Sequence, residues 1–527
     1  MSGPGDGEGN NMNIKRAKEE IKNTVHAYLL KDEHGEYVIP AERQRPVLLM
    51  GPPGIGKTQI MEQAARECGI GLVSYTITHH TRQSAIGLPF IQEKEYGGIK
   101  KHVTEYTMSE IVAAVYDCME ATGLSEGILF LDEINCVSET LAPAMLQFLQ
   151  YKTFGNHKIP DGWIVVTAGN PPEYNKSVRE FDLATLDRVK RIDVEADFSV
   201  WKEYAKNVRI HPAIVSYLTA RPQYFCTTET TVDGKRFVTP RGWEDLSRFL
   251  EVCEKLGTPV DREVALQYAA HPKIAGDFAN YLELYYKYQA KYQIEEVLRG
   301  HRDETLIRKA SRADFDERLS IISLLLSGLE TAFRGVGEKK AGTELLFGVL
   351  KEFKARVLAE GGTAGIESSG RQNAGAASVF EALVHEFQED HERKKKAKLL
   401  SREQEYRYRD AEAVLNGYLL TLKSEGLSEP KTAFSRVREL FGNDREAYFK
   451  ACEDTAAMLE HAFDFMEAAF GDSQEMVSFI SELNSSPHAV AFLKEQECER
   501  YYQYNKKLLF EDREAELLRR LDSLEGL

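Results

Sequence analysis

Residues 48–58 read Leu48-Leu49-Met50-Gly51-Pro52-Pro53-Gly54-Ile55-Gly56-Lys57-Thr58. This stretch fits the pattern G-x-x-x-x-G-K-[ST], in which an apolar strand leads into a glycine-rich turn and then into a helix. The glycines at positions 54 and 56 let consecutive backbone N–H groups approach a polyphosphate, because no side chain stands in the way. The stretch therefore predicts a phosphate-binding loop between a buried strand and an amphipathic helix.

The binding residues expected in this loop offer a backbone donor, a cation or a hydroxyl group. Pro52 and Pro53 have no N–H to donate, so the donors are expected to come from Gly54 through Thr58. Lys57 would reach the β- and γ-phosphates of a nucleotide, and the Thr58 hydroxyl would bind Mg²⁺. The predicted nucleotide-binding residues are Gly51, Pro53, Gly54, Ile55, Gly56, Lys57, Thr58 and Gln59.

Composition limits the class of protein. A chain of 527 residues leaves room for about three domains, and 43% apolar residues are enough to build hydrophobic cores. The net charge of −16 argues against a general nucleic-acid-binding protein. The seven cysteines form no C-x-x-C pair, and no apolar run reaches the roughly 18 residues of a membrane span. These features predict a soluble, cytoplasmic protein without structural zinc.

Apolar runs alternate with helical patterns as far as residue 197. The expected strands are 47–50, 71–76, 127–132, 163–168 and 191–194. Two hairpins are expected between them, at residues 90–106 and 151–161. Strands that alternate with helices predict a parallel α/β sheet.

Helical patterns dominate from residue 198 onward, and the strand signals stop there. The segment 361–376 is rich in Gly and Ser, which predicts a flexible linker. The first residues are polar and rich in Gly and Asn. The predicted organisation is a disordered lead-in at 1–13, an α/β core at 14–197, a helical lid at 198–300 and an α-helical region at 301–527.

Polar residues follow two of the expected strands where a phosphoryl-transfer site needs them. Asp132 ends the third strand and can hold the shell of Mg²⁺, while Glu133 can orient and deprotonate an attacking water. Asn170 follows the fourth strand, and a neutral amide there can position the water or the γ-phosphate. Together with the phosphate-binding loop, these residues indicate transfer of a phosphoryl group to water.

Arginines in two later segments can stabilise charge on the phosphates. Arg188 and Arg191 lie beside the fifth strand, and an arginine supplied across a subunit interface stabilises the charge that develops in phosphoryl transfer. Arg241 begins a helix, from which it would fold back onto the γ-phosphate. Each of these arginines taken alone is also typical of an ordinary surface ion pair.

The order and spacing of these motifs resemble the AAA+ ATPases, specifically the MoxR-like branch of the helix-2-insert clade. The resemblance identifies residues 51–58 as Walker A and residues 129–135, which end in an asparagine, as Walker B. It identifies Asn170 as sensor 1, Arg188 as the arginine finger and Arg241 as sensor 2. The two hairpins fall where this clade carries its helix-2 insert and its pre-sensor-1 hairpin.

This resemblance implies a five-stranded sheet of order 5-1-4-3-2, a lid that carries sensor 2, and a ring of subunits, often a hexamer, with nucleotide between neighbours. One position departs from the family, which usually has Phe after the finger arginine, whereas this chain has Val189. The finger is therefore assigned to Arg188, with Arg191 as the alternative. The resemblance covers about residues 14–256, and the region 301–527 is predicted only to be α-helical.

The function that the resemblance implies is hydrolysis of ATP, with Mg²⁺, to ADP and phosphate, coupled to the remodelling or activation of a protein partner. The family often works with von Willebrand factor A-domain proteins and in metal-cofactor insertion, so a client of that kind is expected, without a membrane. Two other classes stay open. One is a nucleotide-gated scaffold with little turnover, which has no need of Glu133. The other is a nucleic-acid-linked or defence motor, which the acidic composition disfavours.

Overall fold

The computed structural model describes residues 11–79, 82–154, 157–174, 181–231, 234–359, 375–427 and 429–508. The chain divides into two compact units. The first unit takes in Met1–Val200, Thr239–Gly242 and His391–Arg402. The second unit takes in Trp201–Val238, Trp243–Asp390 and Glu403–Leu527.

The strands of the described residues are short, and most of them belong to the first unit. They are β1 Met12–Asn13, β2 Val47–Met50, β3 Gly71–Thr76, β4 Pro89–Tyr96, β5 Ile99–Tyr106, β6 Gly127–Asp132, β7 Thr153–Phe154, β8 His157–Lys158, β9 Trp163–Gly169, β10 Lys190–Glu195, β11 Thr227–Thr231 and β12 Gly234–Val238.

The helices of the described residues are longest in the C-terminal half of the chain. They are α1 Ile14–Tyr28, α2 Lys57–Cys68, α3 Arg82–Ile86, α4 Glu110–Thr122, α5 Ala142–Tyr151, α6 Leu183–Leu186, α7 Phe198–Asn207, α8 Pro212–Ala220, α9 Pro240–Leu256, α10 Arg262–Tyr268, α11 Pro272–Tyr292, α12 Ile294–Leu298, α13 Glu304–Ser311, α14 Phe315–Ala359, α15 Ala376–Lys396, α16 Arg402–Ser424, α17 Pro430–Phe470, α18 Gln474–Asn484 and α19 Pro487–Glu495. Short 3-10 turns lie at Ala41–Arg43, Ile77–His79, Ile134–Cys136 and Pro222–Tyr224.

The first unit is built around one parallel sheet with the strand order β1-β10-β2-β9-β6-β3. The predicted order 5-1-4-3-2 is confirmed, since it corresponds to β10-β2-β9-β6-β3. The sheet has one strand more than the five predicted, because Met12 and Asn13 pair with Val194 and Glu195 of β10. Two residues are too few to show an alternating pattern. Residues 1–10 of the predicted lead-in lie outside the described residues.

Alternate residues of the central strands point to opposite faces of the sheet, and helices cover both faces. Leu49 and Phe130 belong to the core that includes α1 and α2. Leu48 and Leu129, their neighbours in sequence, belong to the core that includes α4 and α5. Burial on both faces explains why these strands appear in the sequence as continuous apolar runs. Because the strands are parallel, their carboxyl ends lie at one edge of the sheet.

In the part of the chain that the structure describes, three hairpins lie outside this sheet. β4 and β5 pair from Pro89↔Tyr106 to Tyr96↔Ile99, and β7 pairs with β8, so both predicted hairpins are present. β11 and β12 form a third hairpin, so the expectation that strands stop before residue 198 was wrong at this point. β11 reads Thr-Thr-Glu-Thr-Thr and β12 reads Gly-Lys-Arg-Phe-Val, and neither shows the apolar alternation that makes a strand recognisable.

In its described residues, the second unit has helices as its regular structure apart from β11 and β12. The long helices α14 and α17 pack together, and α15 and α16 join them around a core that contains Phe353, Phe380, Leu415 and Val437. The α-helical region predicted after residue 300 is therefore confirmed. Most of the predicted linker at 361–376 lies outside the described residues, and α15 begins at Ala376.

One described helix, α14, is long and apolar enough to cross a membrane by length and composition alone. Its apolar residues include Leu325, Leu329 and Phe333, which are buried within the protein. A core helix covered by its neighbours passes the same test of composition. We therefore interpret α14 as the central core helix of the second unit.

A mostly buried charge cluster joins three helices of the second unit. Glu482 of α18 accepts hydrogen bonds from Lys202 and Lys206 of α7, and Lys206 Nζ lies 3.0 Å from Glu482 Oε2. The guanidinium of Arg334 on α14 donates to the backbone carbonyl of Lys206 at 3.1 Å. Burial alone would raise the pKa of Glu482, but the two lysines hold that pKa below its usual value. The cluster ties α7 to α14 and α18.

We expect Glu482→Gln to lower the free energy of unfolding by about 3 kcal/mol, because two largely buried ammonium groups lose their counter-charge. Urea unfolding of the full-length protein measures the change. The matched control is Glu386→Gln, which breaks an exposed ion pair to Arg356 at 2.7 Å and should cost less than about 1 kcal/mol. Equal losses in the two variants would contradict a stabilising role for the cluster.

Candidate nucleotide-binding site

The phosphate-binding loop predicted from the sequence connects β2 to α2. Gly54 and Gly56 have φ angles of 77° and 97°, in the left-handed region that favours glycine. Ile55 between them is 8% exposed and belongs to the core with α1 and α2, so its side chain anchors the loop. α2 begins at Lys57 without a side-chain cap. Its first N–H groups and its dipole therefore favour an anion at this end.

The Lys57 side chain lies at the centre of the site and is only 7% exposed. Its Nζ donates to the carbonyls of Gly51 and Pro52 at 2.7 and 2.8 Å, and to Asn170 Oδ1 at 2.9 Å. Burial lowers the pKa of the ammonium group to about 8, although the negative charge of Asp132 opposes this shift. The group is therefore a buried cation whose charge is sensitive to pH in the alkaline range.

Thr58 and Asp132 provide oxygen atoms beside this lysine. The Thr58 hydroxyl, in the first turn of α2, donates to Asp132 Oδ2 at 3.0 Å, and Asp132 Oδ1 accepts from the backbone N–H of Glu133 at 2.9 Å. A hydroxyl and a carboxylate are the hard oxygen ligands that Mg²⁺ prefers. The described residues contain no group of three or more His, Cys, Asp or Glu that could hold a metal ion. Thr58 and Asp132 would be the residues of this loop and strand that hold Mg²⁺.

Glu133 follows Asp132 in an unusual backbone conformation. Its φ of 57° is left-handed, which costs conformational energy in a residue other than glycine. Its Oε2 accepts a hydrogen bond from Thr78 Oγ1 at 3.0 Å. Thr78 lies in the 3-10 turn that follows β3, and β3 pairs with β6, which Asp132 ends. The turn and the threonine together orient the carboxylate.

The contact of Thr78 with Glu133 was not predicted from the sequence. The available signal was a hydroxyl residue two positions after the end of β3, the strand that neighbours the one ending at Asp132. Using that signal requires the strand order, because β3 and β6 are separated by 50 residues in the chain and meet only in the sheet.

Asn170 directly follows β9, which lies between β2 and β6 in the sheet. This central position brings its side-chain oxygen to Lys57. Its backbone carbonyl accepts a hydrogen bond from Asn135 Nδ2 at 2.8 Å. Asn170 is thus held at its side chain and at its backbone. It lies at the same edge of the sheet as the phosphate-binding loop, Thr58 and Asp132.

Arg241 lies beside the phosphate-binding loop. It belongs to the segment Thr239–Gly242, which is part of the first unit. A methyl group at Gly54 would stand 3.2 Å from Arg241 Cβ and 3.3 Å from Thr239 Cβ, so this close approach needs glycine in the loop. The charge of Arg241 also contributes to the lowered pKa of Lys57. The start of α9 therefore adds a second cation to the site.

The two candidate finger arginines have different surroundings. Arg188 is exposed and lines a surface cavity of about 320 Å³ together with residues of α5 and α6. Arg191 on β10 donates to Asp193 Oδ1 from Nε at 3.0 Å and from Nη2 at 2.8 Å. Val189, which stands where the resembled family usually has Phe, is 4% exposed and belongs to the core with α4 and α5. The substitution therefore keeps an apolar core position.

These contacts bring five of the predicted residues into one network. Lys57, Thr58, Asp132, Glu133 and Asn170 meet at the carboxyl edge of the sheet. The network contains a cation that can bind phosphate and two oxygen groups that can bind Mg²⁺. It also contains a carboxylate that can accept a proton and a side-chain amide that can orient a water molecule. These are the groups that hydrolysis of a nucleoside triphosphate requires.

Comparison with known proteins agrees with this geometry. Residues 46–189 match the family described as AAA domain (dynein-related subfamily). No curated protein matches the chain. The matched residues run from the start of β2 to the segment that carries Arg188, and they include the Walker A and Walker B residues. We conclude that residues 46–189 form an AAA domain, and that the chain carries the nucleotide-binding core of an AAA+ ATPase.

Proposed function

We propose that the protein is a MoxR-like AAA+ ATPase that hydrolyses ATP with Mg²⁺ and uses the cycle to remodel or activate a protein partner. The observation that carries this proposal is the network around Lys57, in which the ammonium group contacts Asn170 while Thr58 contacts Asp132. A water-activating carboxylate, Glu133, lies directly beside this pair. A scaffold that only binds nucleotide has no need of such a residue.

The proposed roles follow from the chemistry of each side chain. Lys57 binds the β- and γ-phosphates, and Glu133 accepts the proton of the attacking water. Asn170 aligns that water, and Arg241 contacts the γ-phosphate from within the same subunit. Mg²⁺, held by Thr58 and through water by Asp132, would neutralise charge on the phosphate oxygens.

The proposed assembly is a homo-oligomeric ring, with six subunits as the expected number. Arg188 would complete the site of the neighbouring subunit by stabilising charge on the transferred phosphoryl group. Arg188 and Arg191 are both exposed, so either could reach a neighbouring subunit. Arg188 is preferred because the family resemblance identifies it as the finger, and Arg191 stays the alternative.

The partner is proposed from the family resemblance. That resemblance favours a protein client, either a von Willebrand factor A-domain protein or a metalloenzyme, in the cytoplasm. The net charge of −16 supports a protein client over a nucleic acid, because polyanions repel one another. The helical second unit gives the chain a large surface on which such a client could be recognised.

The experiment that tests the proposed function compares the wild-type protein with Glu133→Gln. The amide cannot accept the proton of the attacking water, so we expect hydrolysis to fall at least about 100-fold while ATP affinity stays within about threefold. Phosphate release and equilibrium binding measure the two quantities. An unchanged rate of hydrolysis in Glu133→Gln would favour the nucleotide-gated scaffold instead.

ATP affinity should fall as the pH rises above about 8. The pKa of Lys57 is lowered to about 8 in the free protein, and bound phosphates raise it again, so the protonated form is the one that binds. Each pH unit above 8 should therefore weaken binding by up to about tenfold until the pKa of the complex is reached.

Titration with a fluorescent ATP analogue between about pH 7.5 and 9.5 checks this dependence on Lys57. The control is Lys57→Arg, whose guanidinium stays charged throughout this range. Any affinity that this variant keeps should be independent of pH. An equal decline in both proteins would show that another group is responsible.

Mixing two inactive variants tests the shared site. Arg188→Ala should assemble normally and lose most of its hydrolysis, and Glu133→Gln should also be inactive. In a mixed ring, some interfaces combine an intact Glu133 with an intact Arg188, so part of the activity should return. Arg191→Ala serves as the control and should hydrolyse ATP at nearly the wild-type rate. Failure of the mixture to regain activity, together with an inactive Arg191→Ala, would assign the finger to Arg191.

A further inference from the structure

We propose that Asn135 is a positioning residue for ATP hydrolysis, because it fixes the backbone from which Asn170 presents its side-chain amide. The inference rests on the proposed function and assigns to Asn135 a role that neither the sequence motif nor the family match provides. Asn135 acts through Asn170, and it is not expected to contact the nucleotide.

The first observation is the location of Asn135. It lies in the 3-10 turn Ile134–Cys136, which follows Glu133 directly, and it is 2% exposed. Its Nδ2 donates to the backbone carbonyl of Asn170 at 2.8 Å. A buried amide that loses such a partner is costly, so the bond holds the two segments together. The turn that carries the base is therefore attached to the residue that aligns the water.

The second observation concerns the other side of Asn170. Its side-chain Oδ1 accepts from Lys57 Nζ at 2.9 Å. The residue is consequently held at two points, at its carbonyl by Asn135 and at its side chain by Lys57. With the carbonyl released, Asn170 would keep its side-chain contact to Lys57 but lose the contact that positions its backbone against the turn after β6. Small displacements of an orienting group reduce the rate of a reaction far more than they reduce binding.

The third observation is the close contact between Asn135 and Gly169, the last residue of β9. A methyl group at Gly169 would stand 2.7 Å from Asn135 Oδ1 and 2.9 Å from Asn135 Cγ. The asparagine side chain thus lies directly against the backbone of β9, and glycine at this position is what gives it room. Gly169→Ala should displace the amide from its place without changing Asn135 itself.

We expect Asn135→Ala to lower kcat at least about tenfold while ATP affinity changes by less than about threefold. The decisive experiment repeats the substitution in an Asn170→Ala background, which keeps the backbone carbonyl but lacks the side-chain amide. If Asn135 acts through that amide, the second substitution should cost less than about twofold. Steady-state hydrolysis and binding of the fluorescent ATP analogue provide the readouts. An equal fold-loss in both backgrounds would show a structural role only and overturn the proposal.

Two further variants test the same hydrogen bond in case Asn135→Ala does not fold. Asn135→Asp keeps the shape of the side chain but has no N–H to donate, and Gly169→Ala leaves Asn135 intact, so both should show the same loss of kcat. Ile134→Val is the matched control, because it removes one methylene group from a buried residue of the same turn and should hydrolyse ATP at nearly the wild-type rate.

The result for the wild-type protein separates this proposal from the proposed function. A wild-type protein without ATP hydrolysis would refute the proposed function itself. An active wild type, with Asn135→Ala and Asn135→Asp equally active, would refute only the role of Asn135.

Discussion

The buried ammonium group of Lys57 is the constraint on which the rest of the site depends. It is nearly excluded from solvent, and it donates three hydrogen bonds, two to backbone carbonyls of the loop and one to Asn170. A cation in such surroundings is tolerated only when its donors are satisfied. The loop and the end of β9 must therefore stay in register, and this requirement links the phosphate-binding loop to the residues that we propose act on water.

The strand order makes this register possible. β9 lies between β2 and β6, so Asn170 stands between the strand that leads into the phosphate-binding loop and the strand that ends at Asp132. The Thr167 hydroxyl donates to the carbonyl of Val47 at 3.0 Å, which adds a side-chain hydrogen bond between β9 and β2. Asn135 then connects β9 to the turn after β6. The buried strands thus bring together side chains, such as those of Lys57 and Asn170, that are separated by more than 100 residues in the chain.

Much of this arrangement follows from the sequence, and the exceptions have physical reasons. The phosphate-binding loop and the acidic pair could be predicted because each has a short sequence motif. The core strands could be predicted because burial on both faces requires continuous apolar runs. The sheet order came with the family resemblance, since no local pattern specifies which strands are neighbours. Thr78 and the role of Asn135 were missed for the same reason: each acts on a residue that only the folded sheet brings near. β1 escaped prediction because two residues form it.

The central claim is that this network hydrolyses ATP in a site that two copies of the chain complete. The most direct measurement is phosphate release per subunit as the concentration of the purified wild-type protein is raised, with and without Mg²⁺. The account predicts Mg²⁺-dependent turnover that increases per subunit with protein concentration as the shared sites form, and then reaches a plateau. Turnover that is absent at every concentration, or that needs no Mg²⁺, would contradict it.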